Sequence, residues 1–219
     1  MNNVKNLIYK DLKLLVHPIT YIYLFLSALM GLIPEYPRFV GPFYMLIGIM
    51  TTMAAEAQYR DKEFCGVLPV SKADSVKAWM IIVVILELGT ILCAIPSAII
   101  SSLFFDTGKE TVMIKQNLMV LVSTLLGYSA ANSFMISANY RKQFKINVPS
   151  FLGMMAYFVV SCFIEMFITN LPGLEFMRTN NPSDLLRQLP FAIAAIGIYA
   201  LSNYLICRKS IKNYEKAEV

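Results

Sequence analysis

The stretch that decides the fold is AWMIIVVILELGTILCAIPSAIISSLFF, residues 78–105, twenty-eight positions with a single charge, Glu87. A bilayer core of about 30 Å is crossed by about 20 apolar residues in a helix rising 1.5 Å per residue. This run is long enough to cross at a steep tilt or to protrude. It is apolar on every side, whereas a transmembrane strand alternates polar and apolar residues over about 10 positions. A membrane helix is the reading it permits.

Five further apolar runs flank it, at residues 19–33, 39–57, 117–138, 148–169 and 189–207. The first, closed by Pro34, would be about 22 Å long as a helix. It has to recruit residues before Pro18, thin the bilayer locally, or continue past Pro34. Composition agrees. The 219 residues are 57% hydrophobic and 15% charged, against about 45–50% and about 25% in soluble domains. That leaves too few charges to cover a water-facing surface, and it excludes disordered and collagen-like chains. The expected fold class is all-α: a single polytopic membrane domain over residues 1–219 with six transmembrane helices.

Charge placement orients the bundle. The side carrying residues 1–18, 58–77, 139–147 and 208–219 holds Lys5, Lys10, Lys13, Arg60, Lys62, Lys72, Lys77, Arg141, Lys142, Lys145, Arg208, Lys209, Lys212 and Lys216. The other side holds Arg38, Lys109, Lys115, Arg178 and Arg187. Fourteen against five is a positive-inside bias that puts both termini in the cytoplasm of a multi-pass protein of the cell membrane. Basic residues confined to short loops between apolar runs point to a lipid partner and away from nucleic acid. Tyr21, Tyr23, Trp79, Tyr140 and Tyr204 lie near run ends, where either an interfacial belt or packing inside the bundle accounts for them.

Two segments on the basic side carry pattern. Val4, Leu7, Ile8, Leu12, Leu15 and Val16 recur at helical spacing with Asn6, Lys10 and Lys13 opposite, which predicts an amphipathic interfacial helix over residues 1–17 ended by His17-Pro18. Asp11 falls on its apolar side, as a solvated charge at the edge of the stripe or as an anchor for another segment. The connection QYRDKEFCGVLPVSKADSVK, residues 58–77, exceeds the usual 4–6 residues several-fold. Its first part, Tyr59–Leu68, predicts a short helix with Phe64, Val67 and Leu68 on one side, stopped by Pro69. Ser71 followed by Asp74 then resembles a capping box leading into the third span. The expected product is a helix–turn–helix protrusion suited to protein docking.

LIYKDLKLL at residues 7–15, LPVSK at 68–72 and the Val76-Lys77 lead into the third run resemble the small type-2 ABC exporter permeases of bacteria, in look nearest to the permeases of phenol-soluble-modulin exporters of Gram-positive bacteria. The resemblance implies a permease paired with a second permease chain and served by two copies of a separate ABC ATP-binding subunit, which would hold ATP and Mg. It implies that residues 1–17 are the elbow helix and that 58–77 is a coupling segment, with Glu63, Phe64 and Leu68 touching the ATPase amid Arg60, Val67 and Pro69. It implies export, with amphipathic, cytolytic or antimicrobial peptides as cargo. The sequence itself lacks GxxxxGK[ST]; its one Gly-Lys pair, Gly108-Lys109, is followed by Glu110, so phosphate-cradling chemistry is expected on another chain.

Within the spans, Glu87 and Glu165 read as deep carboxylates with no basic residue beside them in the runs. An ionisable group at mid-bilayer costs about 2.5–3.5 kcal/mol on insertion scales. Such groups line a translocation path or fix packing, and as a pair they would also fit an ion-gradient transporter. Glu56 and Arg60 sit one helical turn apart and predict an i,i+4 pair. Pro96, the Gly41-Pro42 pair and Gly48 are candidate hinges or static bends. One histidine, His17, and scattered cysteines (Cys65, Cys93, Cys162, Cys207) offer neither a zinc site nor a general base for a serine nucleophile, so no enzyme activity, resident cofactor or metal site is expected.

Overall fold

A computed structural model describes residues 2–33, 36–104, 117–140 and 147–216. Pro34, the Gly108-Lys109 pair and the loop cations Lys115, Arg141, Lys142 and Lys145 lie outside the described residues. The elements are helices α1 (Asn2–Lys10), α2 (Pro18–Met30), α3 (Val40–Gln58), α4 (Asp61–Val67), α5 (Lys72–Phe104), α6 (Leu118–Asn139), α7 (Asn147–Asn170) and α8 (Pro182–Lys216). A π-helical turn, Asp11–Leu15, continues α1, and a 3-10 turn, Glu175–Met177, precedes α8.

Five of these helices are long and apolar enough to cross a membrane, or six if α1 and α2 count as one span broken by 86°. The protein is thus a multi-pass membrane protein, all-helical over its described residues. The first run falls short of the sequence expectation: α2 has 13 residues, about 20 Å. The break before it has a clear cause. Pro18 takes the first helical position, where no N–H is needed, and His17 Nδ1 accepts the Ile19 N–H at 3.3 Å. The sixth run begins earlier and ends later than its apolar core, because Asp184 and Arg187 lie in its first turns and Arg208 to Lys216 in its last ones. As helices, α5 and α8 reach about 50 Å, well beyond a bilayer core.

The helices form two groups. In one, α2, α3 and α5 pack together with α1 laid against α5; in the other, α6 packs on both α7 and α8. The groups meet chiefly along α5 and α8. Lipid offers no hydrophobic drive for helices to associate, so small residues and polar contacts decide where they touch. The α2–α3 seam shows this. Gly48 lets α2 approach so closely that an added Cβ would lie 2.9 Å from Thr20 Cγ2. The Thr20 hydroxyl donates to Gly48 O at 3.0 Å and lies 3.1 Å from the Thr52 hydroxyl. Gly48 is therefore a packing contact. Pro42 sits in the first turn of α3, where a missing N–H costs nothing. Pro96 stays inside the continuous α5. Neither proline terminates its helix.

At the end of the bundle away from α4, the segment between α7 and α8 is fastened by side-chain amides. Asn117 donates to Met177 O at 2.8 Å, and the fully buried Gln188 donates to Phe176 O at 2.7 Å.

Gly48→Val would push the added side chain into Thr20. It is expected to lower stability by about 1–3 kcal/mol, the usual cost of overpacking, read as a lower melting temperature in detergent. Gly197→Ala, where an added Cβ meets nothing within 4 Å and alanine suits a helix interior better than glycine, is expected to leave the melting temperature as high or slightly higher.

Candidate functional site

The end of the bundle carrying α1, α4 and the last turns of α6 and α8 gathers most of the predicted site residues. α3 stops at Gln58, and Arg60 turns the chain in a left-handed conformation, φ 52° and ψ 38°. α4 starts at the next residue. Asp61 and Glu63 in its first turn suit the positive end of the helix dipole. Leu68 is extended ahead of Pro69, as the proline requires. The cap at Ser71 forms as the sequence indicates: its hydroxyl accepts the Asp74 N–H at 3.0 Å.

One side of α4 is held down. Lys10 of α1 donates to both Asp61 carboxylate oxygens, at 2.8 and 2.9 Å. It also lies 3.0 Å from the Asp11 carboxylate and 3.3 Å from Cys65 Sγ. Leu7, Cys65 and Ala78 form a small buried cluster. Burial and the neighbouring Asp61 push the Cys65 thiol up to about 11. Much of the rest of α4 is exposed: Phe64, whose ring lies 5.9 Å from Lys10 Nζ, is 56% and Val67 87% exposed, and Arg60, Glu63, Leu68 and Pro69 are exposed beside them.

The structure sharpens two expectations here and corrects a third. The protrusion is compact, since Lys10 and Cys65 clamp α4 to α1 and the base of α5. Asp11 is buried and acts as an anchor for Lys10, with Lys13 on the exposed side. Glu56 does not pair with Arg60: the Arg60 turn sends its guanidinium to Glu63 at 3.6 Å, while Glu56, also buried, accepts from Asn139 of α6 at 2.9 Å.

A second polar cluster lies within the spans. Glu87 of α5 is fully buried. Its Oε2 accepts from the Tyr199 hydroxyl of α8 at 2.6 Å and from Asn132 Nδ2 of α6 at 3.2 Å. Asn132 Nδ2 also donates to Asn203 Oδ1 of α8 at 3.1 Å. One carboxylate thereby joins the two helix groups. Glu165 keeps different company. It lies about one turn before the end of α7, half-buried, where its charge favours that of Arg38 at the far end of the bundle. Arg38 itself donates to Gly31 O at 2.6 Å. Glu165 thus lies near enough to a cation, Arg38, to feel its charge.

Sequence reasoning missed Asp61, Lys62, Asn132, Asn139, Tyr199 and Asn203. A signal existed for some of them. Asn132 and Asn139 are seven apart, on one face of an apolar helix, and Tyr199 and Asn203 fall on the same stripe as Ala192, Ala195, Ile206, Ser210 and Tyr214, the face of α8 that is buried. Polar residues at that spacing inside a span mark a helix contact. Among the described residues no cluster of three or more His, Cys, Asp or Glu could hold a metal ion, and the four cysteines are free.

With this geometry in place, comparison with known families is informative. The family model described as "ABC-2 family transporter protein" matches residues 6–215. The chain belongs to that family. The family is a membrane transport component of ABC transporters, not itself catalytic, and it implies association with an ABC ATP-binding subunit. No curated protein and no solved structure matches the chain.

The clamp on α4 can be read through its thiol. At neutral pH the buried Cys65, with its raised pKa, is expected to react with maleimide more slowly than an exposed cysteine, since the thiolate is the nucleophile. Lys10→Ala should free α4 from α1 and speed labelling of Cys65, measured over time by mass mapping of the peptide that carries it.

Proposed function

We propose that the chain is the membrane-spanning subunit of an ATP-driven exporter, docking its ATPase through the exposed side of α4. The observation that carries this is an apolar group, Phe64, Val67 and Leu68, exposed on a helix that lies outside the membrane-crossing segments and is fixed to the bundle through Asp61, Lys62 and Cys65. Apolar side chains grouped in water mark an interaction site. Arg60, Glu63 and Pro69 form a charged and rigid rim around them, the arrangement of apolar centre and polar edge found in protein interfaces. In this reading α1 is the elbow helix, lying in the interface, and the basic loop residues place it, α4 and both termini in the cytoplasm. α2, with α1 bent 86° away from it, then completes a layout of six spans. Two such chains pair, each with one ATP-binding subunit beneath it that supplies ATP and Mg.

Amphipathic, cytolytic or antimicrobial peptides are the cargo we propose. The support is the resemblance of residues 7–15 and 68–72 to peptide-exporter permeases, together with spans rich in methionine, whose flexible thioether adapts to irregular apolar shapes. Glu87 in this reading fixes helix packing: its two donors come from neighbouring helices.

Replacing Phe64 and Leu68 together by Asp tests the docking surface. The double variant is expected to insert and purify as a monodisperse membrane protein but to lose the ATPase on co-purification. Binding should fall by about 30-fold or more, the scale of one lost hot-spot residue. Undiminished co-purification would reject the assignment. For the cargo, deleting the chain is expected to retain amphipathic peptides inside the cell, measured by mass spectrometry of pellet against medium.

A further inference from the structure

Two adjacent residues at the start of α4 face different partners. Asp61 is gripped by Lys10 of α1. Lys62, about 100° further round a 3.6-residue helix, reaches the other helix group. Its ammonium donates to Asn139 O at 2.5 Å and to Asn139 Oδ1 at 2.9 Å. It lies 4.0 Å from the Glu56 carboxylate and 4.8 Å from the centre of the Tyr140 ring.

The chemistry of that contact is specific. Asn139 is the last residue of α6, and the final carbonyls of a helix have no partner within it. They also form the negative end of its dipole, where a cation is favoured. Lys62 therefore caps α6 from another helix and adds a cation–π contact to the residue that follows it. Glu56 of α3 closes the triangle through its hydrogen bond with Asn139. The contact extends to α8: the Tyr214 hydroxyl lies 3.4 Å from Lys62 O, its ring lies 5.4 Å from that of Tyr140 and tilted 50° to it, and Lys72 at the start of α5 reaches Tyr214 O at 3.4 Å. Burial lowers the proton affinity of Lys62, while Glu56 and Asp61 raise it.

We infer that Lys62 is a positioning residue for transport: it ties the docking helix to the ends of α6 and α8, so that a displacement of α4 reaches the α6–α8 group as well as α1. The inference rests on the reading of α4 as the ATPase dock. An exposed side of α4 takes the load, Asp61 passes it to α1 and Lys62 passes it to α6. Without Lys62 the ATPase would still bind, and α6 and α8 would not respond.

Hydrogen–deuterium exchange on the permease–ATPase complex in nanodiscs separates the two ideas. In the wild-type complex, assembly is expected to protect residues 61–68. Trapping the nucleotide state with ATP and vanadate is then expected to change exchange at residues 134–140 and 207–216. Lys62→Met should keep the protection of α4 and lose the vanadate-driven change at both helix ends. Lys62→Arg should restore it. Glu56→Gln combined with Lys62→Met removes the buried carboxylate that the single variant leaves without its cation, and this folded double variant should also lack the response. A Lys62→Met or double-variant complex that responds like wild type would overturn the inference, as would a wild-type complex in which α6 and α8 do not respond. Absence of α4 protection in the wild-type complex would instead overturn the docking reading itself.

Discussion

Inside a bilayer a polar side chain has no water to fall back on, and that constraint sets which helices of this protein meet. A buried amide, hydroxyl or carboxylate must find its partner in another helix or bear the cost of being unpaired. Glu87 satisfies one oxygen with donors from α6 and α8. Tyr128 of α6 and Tyr157 of α7 each donate at 2.8 Å to a carbonyl near the start of α3, Pro42 O and Phe39 O. Glu56 meets Asn139 at the opposite end. The two helix groups are therefore joined at three depths by hydrogen bonds, while apolar packing does most of its work within each group. Van der Waals contact is nearly as good with lipid as with protein, so it cannot by itself specify this pairing.

The membrane class of the protein was legible from residues 78–105 alone, and the boundaries of α3, α6 and α7 follow the apolar runs to within a residue or two. Runs fail as a guide where polarity and helicity part company. α8 continues through Arg208, Lys209 and Lys212 because a helix leaving the membrane loses nothing by being charged. α2 is shorter than its run because the chain turns at Gly31, where an added Cβ would sit 2.6 Å from Ser97 Oγ. Neither fact is a property of hydropathy.

The candidate site divides in the same way. That residues 59–68 would hold a short helix, stopped by Pro69 and followed by a capped one, follows from local chemistry, and local chemistry is what a sequence displays; the left-handed turn at Arg60, which starts the helix only at Asp61, is not local in that sense. The partners of Lys10, Glu56 and Lys62 are fifty-one, eighty-three and seventy-seven residues away along the chain. Spacing rules reach one or two helical turns, so they offered Glu56 the nearest cation, Arg60. The tertiary fold gave it Asn139 instead. Asp11 is the same lesson from the other direction, a charge that looks misplaced on an apolar stripe until Lys10 and Asp61 are seen above it.

The corner at Arg60 has one more implication. Glycine would take that left-handed geometry without steric penalty, and would bring its backbone freedom to the joint. An arginine there gives up of the order of 1 kcal/mol in backbone strain but has fewer alternative conformations to wander into. The joint between α3 and α4 is accordingly a bracket and not a swivel, and a force applied at the tip of the short helix arrives at the bundle with its direction preserved.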